Sequence, residues 1–160
     1  MVRLQFFTTL IAALGSGLIA GTFFVFSVAV MRALGQRPAN EGMAAMQSIN
    51  IVILNPIFLG VFLGTAIVSL LAALFGVLWQ VPGSGYLLAG AVFYLLGSFL
   101  VTMVVNVPLN TALIAADPAS DAGQKLWKNY LTIWTRWNHV RTLASLGALL
   151  FFILALTGER

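Results

Sequence analysis

The chain has 160 residues, 61% of them hydrophobic and 8% charged, with a mean hydropathy of +1.02. Soluble domains carry about 25% charged residues, so this chain cannot cover a core with a water-compatible surface, and lipid has to be its solvent. The net charge of +4 sits mostly in expected loops, which points to membrane orientation and away from nucleic acid, and the lack of cysteine excludes disulfides, a thiolate nucleophile and cysteine-ligated metal.

A membrane-crossing helix needs about 20 apolar residues. Residues 4–31 carry no charge and form the first expected span. Arg3 precedes it as in a signal peptide, but the apolar run exceeds the usual signal length of about 7–15 residues, so it is read as a retained span. Residues 42–116 also carry no charge, too long a run for one span, and the turn residues VPGSG at 81–85 divide it. Spans two and three are therefore expected at 57–78 and 86–107, and span four at 140–156.

Two further segments are expected to be helical. Residues 40–55 place Met43, Met46, Ile49 and Ile53 on a helical period and are read as an extension of span two. Residues 120–137 place Trp127, Tyr130, Leu131 and Trp134 on one face and Lys125, Lys128 and Arg136 elsewhere, an amphipathic helix that feeds span four. Asp117-Pro118 supplies a turn before it, and Ser120 or Asp121 its N-cap. The expected architecture is one all-α domain over residues 1–160, a polytopic membrane protein built as a four-helix transmembrane bundle with helical extensions on the cytoplasmic side.

Basic residues set the orientation. Arg32, Arg37, Lys125, Lys128, Arg136 and Arg141 fall on the side of loops one and three, against Arg3 and Arg160 on the other. Loops one and three are thus expected in the cytoplasm of a multi-pass cell-membrane protein, with both termini outside.

The few polar groups near the membrane stand out. Span two opens on Asn55-Pro56 and span three ends on NVPLN, where Asn106 and Asn110 share a helix face around Pro108. Each proline frees a backbone carbonyl that needs a partner in lipid. The asparagines either repair that backbone or line a cavity opened by the kinks. Span four opens on Asn138, His139 and Arg141. With Trp127, Trp134 and Trp137 this is either an interfacial belt with a snorkelling arginine or an ionisable cluster facing the interior, where such a group marks a site. Arg32, Gln47 and Asn50 lie on the same side and could join it. Glycines in span one, at 15, 17 and 21, read as close helix packing.

No acid lies inside a span, which speaks against a proton-coupled transporter. One histidine without cysteine builds no zinc or di-iron site within one chain, and a haem on His139 would lack a second ligand signature.

The motifs MQSIN (46–50), NVPLN (106–110) and WTRWNHVRT (134–142), on four expected spans, resemble the anthrone oxygenase-like family of small membrane proteins, long known as a domain of unknown function. Some members are implicated in oxidising anthrones to anthraquinones without a metal or flavin. The resemblance implies an oxidoreductase that needs no cofactor and acts on a hydrophobic polycyclic phenol. It would take His139 as base, Arg141 and Asn138 as partners of an oxyanion, and Asn106 and Asn110 as orienting groups. Trp134, Trp137 and Met46 would supply apolar contacts, with Gln47 and Asn50 beside them. A non-catalytic protein that binds a lipid or a quinone-like molecule, or supports an assembly, is the competing reading, and a small transporter the third. Expected partners are the bilayer, a hydrophobic aromatic molecule and a second copy of the chain.

Overall fold

The computed structural model describes residues 2–158; Arg160, assigned above to the outer side, lies outside them. Five helices follow one another: α1 (Arg3–Gly35), α2 (Ala39–Val52), α3 (Pro56–Leu78), α4 (Ser84–Ala115) and α5 (Asp121–Thr157). The described residues contain no strand. The long helices α1, α3, α4 and α5 are each apolar and long enough to cross a membrane.

The helix breaks differ from the sequence expectation in three places, each for a local reason. First, the 40–55 segment is a separate helix and not an extension of α3. Pro56 forces Asn55 out of the helical region, to ψ 158°. The freed Asn55 Oδ1 then caps α3 by accepting from Ile57 N at 3.1 Å and Phe58 N at 3.0 Å. Its Nδ2 donates to Val52 O at 3.0 Å and so closes α2.

Second, α4 runs on through Pro108 to Ala115. The turns Phe93–Leu100 and Thr102–Asn106 are π-helical, and the Val107 N–H bonds Thr102 O, five residues back. The ladder thus shifts register just before the residue that has no N–H to give. Third, α5 is one helix of 37 residues, because nothing between the amphipathic segment and span four interrupts it. Ser120 Oγ caps it by accepting from Gly123 N at 3.0 Å. At about 1.5 Å per residue it is about 55 Å long and projects well past an apolar layer of about 30 Å.

The four long helices pack in the cyclic order α1, α3, α4, α5. One core cluster fills the space between them, with Ile19, Phe62, Tyr94, Ala148 and Phe152 at its centre. A second lies toward α2, built from Met31, Met43, Met46, Leu113, Trp127, Tyr130 and Trp134. Leu18 and Leu143 are 63% and 68% exposed, and exposed leucines and isoleucines recur along every long helix. This inverts a soluble surface and suits a lipid solvent. Buried polar contacts join the helices instead, with Ser145 Oγ 2.9 Å from Ser98 Oγ and Tyr94 OH donating to Phe62 O at 3.0 Å.

Helix α2 is held against the end of α1 through Gly42. A methyl group there would run into the Leu34 carbonyl oxygen and lie 3.2 Å from the Trp127 ring. Backbone cannot yield as a side-chain tip does, so Gly42→Ala should cost about 1–3 kcal/mol in thermal unfolding. Gly60→Ala, where nothing lies within 4 Å, should be neutral or slightly stabilising. Equal melting points for the two variants would contradict this packing.

Candidate functional site

Helix α5 turns one polar and aromatic face inward. Tyr130, Trp134, Asn138, Arg141 and Ser145 follow at intervals of three or four residues, and all are buried. Arg141 is only 4% exposed. Its Nη2 donates to Asn138 Oδ1 at 2.7 Å and its Nη1 to Thr102 Oγ1 of α4 at 3.2 Å. The guanidinium carbon sits 4.1 Å from the Phe23 ring centroid and 5.1 Å from that of Trp134. Nε has no protein partner. Among the described residues the one ion pair is Arg37 with Glu41, at the surface, so no carboxylate balances Arg141.

Asn138 stands behind the guanidinium. Its Nδ2 donates to Phe23 O and to Ser27 Oγ, both at 2.7 Å. It therefore ties α5 to α1 next to the π-helical turn Phe26–Val30.

A second polar group lies one turn toward α2. Asn110 Oδ1 accepts from Tyr130 OH and from Trp134 Nε1, both at 2.8 Å. Asn50 Nδ2 of α2 reaches Tyr130 OH at 3.4 Å. The rings of Trp127, Tyr130 and Trp134 stack along α5 with centroids 5.8 and 5.7 Å apart.

These groups border a cavity of about 350 Å³ to which all five helices contribute. That size falls in the usual range of about 300–1,000 Å³ for small-molecule sites. Its walls are mainly apolar, with Phe23, Phe26, Phe58, Phe62 and Met46 among them, and its polar lining comes from Asn50, Asn110, Thr102, Thr22, Trp134 and Arg141. Leu54 in the turn between α2 and α3, Leu63 of α3 and Met103 of α4 line the cavity and stay exposed, so its mouth opens sideways between these segments.

Of the residues singled out from sequence, Asn50, Asn110, Trp134 and Arg141 meet at this cavity together with Met46. Asn138 is held behind Arg141. Asn106 is fully buried off the wall, its Nδ2 3.4 Å from Trp134 O and its Oδ1 without a partner. Gln47 does not face the cavity. Its Nε2 donates to Leu113 O at 2.8 Å and Ala116 O at 2.9 Å, which satisfies the end of α4.

Two expectations are corrected. His139 lies about 100° further round α5 than Asn138 and is exposed on the outer face, so it cannot serve the cavity as a base. Trp137, at the edge of the inward face, is 39% exposed and is not part of the wall. Sequence reasoning missed Tyr130 as a polar partner, although its spacing of four from Trp134 and eight from Asn138 marks the same face. Phe23 and Thr102 carried no signal, since an ordinary Phe and Thr in apolar spans look like any other. Among the described residues no three His, Asp or Glu side chains come together as a metal site.

The two asparagines near the guanidinium differ in what they hold, and this can be measured. Asn138→Leu would strand Phe23 O and an Arg141 N–H and leave Ser27 Oγ with Thr142 alone, whereas Asn106 gives up a single long hydrogen bond. Each stranded buried group costs about 1–3 kcal/mol, so Asn138→Leu should destabilise by at least about 2 kcal/mol more than Asn106→Leu in detergent melting. Equal losses would show that the Asn138 network carries no such weight.

No curated protein and no solved structure matches the chain. The anthrone oxygenase family model matches residues 53–151, which takes in α3, α4 and most of α5. The matched region holds Thr102, Asn110, Trp134, Asn138 and Arg141, while Asn50 and the α1 wall lie before it. On that match, over more than half of its length, the chain belongs to the anthrone oxygenase family.

Proposed function

We propose that the chain is a membrane oxygenase that oxidises a hydrophobic, anthrone-like polycyclic phenol, with Arg141 holding the substrate anion. The observation that carries this reading is a buried guanidinium with no carboxylate, placed on the wall of a mainly apolar cavity. A cation without a partner inside a membrane protein marks a site, because the charge must be offset by something. An oxyanion on a flat aromatic ligand offsets it at no cost to the apolar walls.

The chemistry follows from that placement. An anthrone loses one proton from the carbon opposite its carbonyl and becomes an electron-rich oxyanion. Hydrogen bonds from the Arg141 guanidinium favour this anion over the neutral ketone. The anion passes an electron to O₂, a carbon–oxygen bond forms, and loss of water leaves the quinone. In balance, one anthrone and one O₂ give one anthraquinone and one H₂O. With His139 on the outer face, the protein's part is stabilisation of the anion and not proton abstraction by histidine. Trp134 and Phe23 flank the guanidinium and keep water from it. The sideways mouth gives the apolar substrate and O₂ a route from the bilayer.

The apolar, lipid-facing mouth also favours a second reading, in which the cavity holds a quinone-like or lipid molecule without turnover. Oxygen uptake by purified protein with added anthrone separates the two. Uptake above the uncatalysed rate is expected, with one O₂ consumed per quinone formed. Arg141→Lys should lower it by about 10²-fold or more at an unchanged melting point, since lysine lacks the planar donor fork. His139→Gln should keep the wild-type rate. Ligand binding without uptake would leave only the non-catalytic reading.

We also place the α2 end of the molecule in the cytoplasm of a cell-membrane protein, supported by the basic residues of loops one and three. Cysteines introduced singly as Gln36→Cys and Gly85→Cys should label from opposite sides, the former from the cytoplasm. Labelling of both from one side would overturn this orientation.

A further inference from the structure

We infer that the cavity reads a carbonyl and a neighbouring hydroxyl on its ligand, through Asn110 and Asn50, and that Trp134 sets the direction of the first amide and Tyr130 that of the second. The inference rests on the reading of the cavity as a site for an anthrone-like molecule, and it assigns specificity that the guanidinium alone cannot supply.

Donor and acceptor directions decide how each amide faces. Trp134 Nε1 can only donate. At 2.8 Å it therefore requires the oxygen of Asn110, and this fixes the Asn110 amide. The Tyr130 hydroxyl has one proton, which it gives to the same oxygen at 2.8 Å. Toward Asn50 it can then only accept, so Asn50 must present its Nδ2, as it does at 3.4 Å. The chain runs in one direction from Asn50 through Tyr130 to Asn110, with Trp134 as the second donor at its end.

Two atoms are left over. Asn110 Nδ2 donates to no protein group, and Asn50 Oδ1 accepts from none. Neither is a sealed, orphaned atom, and both residues line the cavity. The wall thus offers one donor, held by Trp134 and Tyr130, and one acceptor, held by Tyr130, in the cavity that Arg141 also lines. A ligand that completes this set carries an oxygen that accepts from Asn110 and a hydroxyl that donates to Asn50. A flat ketone with a hydroxyl beside the carbonyl does so, its proton shared between its own carbonyl and Asn50 Oδ1. A ligand whose hydroxyl is methylated, or that has none, leaves Asn50 Oδ1 buried and unsatisfied, and buried polar groups left unpaired are what make such sites selective.

Anaerobic equilibrium binding tests this without turnover. The probes are dithranol, an anthrone with a hydroxyl on each side of its carbonyl, its dimethyl ether, and unsubstituted anthrone. Wild-type protein is expected to prefer dithranol to both others by about tenfold or more. Asn50→Leu should reduce the preference to about twofold or less. Tyr130→Phe should do the same although both asparagines remain, because the Asn50 amide is then free to turn either end to the ligand. Both variants are compared at matched melting behaviour, and Tyr130→Phe keeps the stacked ring if Asn50→Leu fails to fold. Equal binding of the three probes by wild type, or variants that weaken all three alike, would overturn the inference while leaving the anthrone-site reading in place. Failure of wild type to bind any of them would bring down both.

Discussion

An arginine without an acid is the constraint on which the rest of this structure depends. Placing a charged side chain at the centre of a membrane helix costs about 2.5–3.5 kcal/mol on insertion scales. Arg141 sits on the inner face of α5, 4% exposed, with Asn138 and Thr102 as its hydrogen-bond partners and two aromatic faces against it. Those contacts solvate the cation without neutralising it. The charge therefore stays available to a ligand, which a carboxylate partner would have prevented.

The backbone is arranged around the same group. Three π-helical turns occur among the described residues, at Phe26–Val30, Phe93–Leu100 and Thr102–Asn106. The first adjoins Phe23 and Ser27, which receive Asn138, and the third begins with Thr102, which receives Arg141. A π turn adds a residue to the helix and re-aims the side chains on either side, and such turns recur at functional sites. Below them, Asn55-Pro56 turns α2 away from α3 and lets Met46 and Asn50 approach from the side. The cavity exists because the helices part here, while the other end of the molecule is closed by Ile19, Tyr94 and Phe152.

The polar groups in and behind the cavity wall divide into two sets with different physics. The Asn138–Arg141–Thr102 set places a charge. The Asn50–Tyr130–Asn110–Trp134 set has no charge and orders the directions of hydrogen bonds. Between mainly apolar walls both are strengthened by the low dielectric, and the second gains from a chain in which each bond fixes the sense of the next. The aromatic stack keeps that chain from rotating, since the Tyr130 ring is packed between those of Trp127 and Trp134.

What the sequence by itself determined was the solvent and the number of long helices. The charge-free runs at 4–31 and 42–116 leave no alternative to lipid, and composition and periodicity are local properties that a chain carries before it folds. The same locality placed Trp127, Tyr130, Leu131 and Trp134 on one helical face, and marked Asn55-Pro56 as a kink but not as the break between two helices. Which groups meet across helices was decided only in three dimensions. His139 and Arg141 are two residues apart, yet one faces outward and the other the cavity, and only the packing of α5 against α1 and α4 selects between them. Asn106 and Asn110 look alike in the motif, but Asn110 meets two donors from α5 while Asn106 meets a backbone carbonyl. Thr102 and Phe23 have no distinguishing neighbours in the chain at all. They enter the site because helices distant in sequence bring them to the guanidinium, and that is a property of tertiary packing and of no single segment.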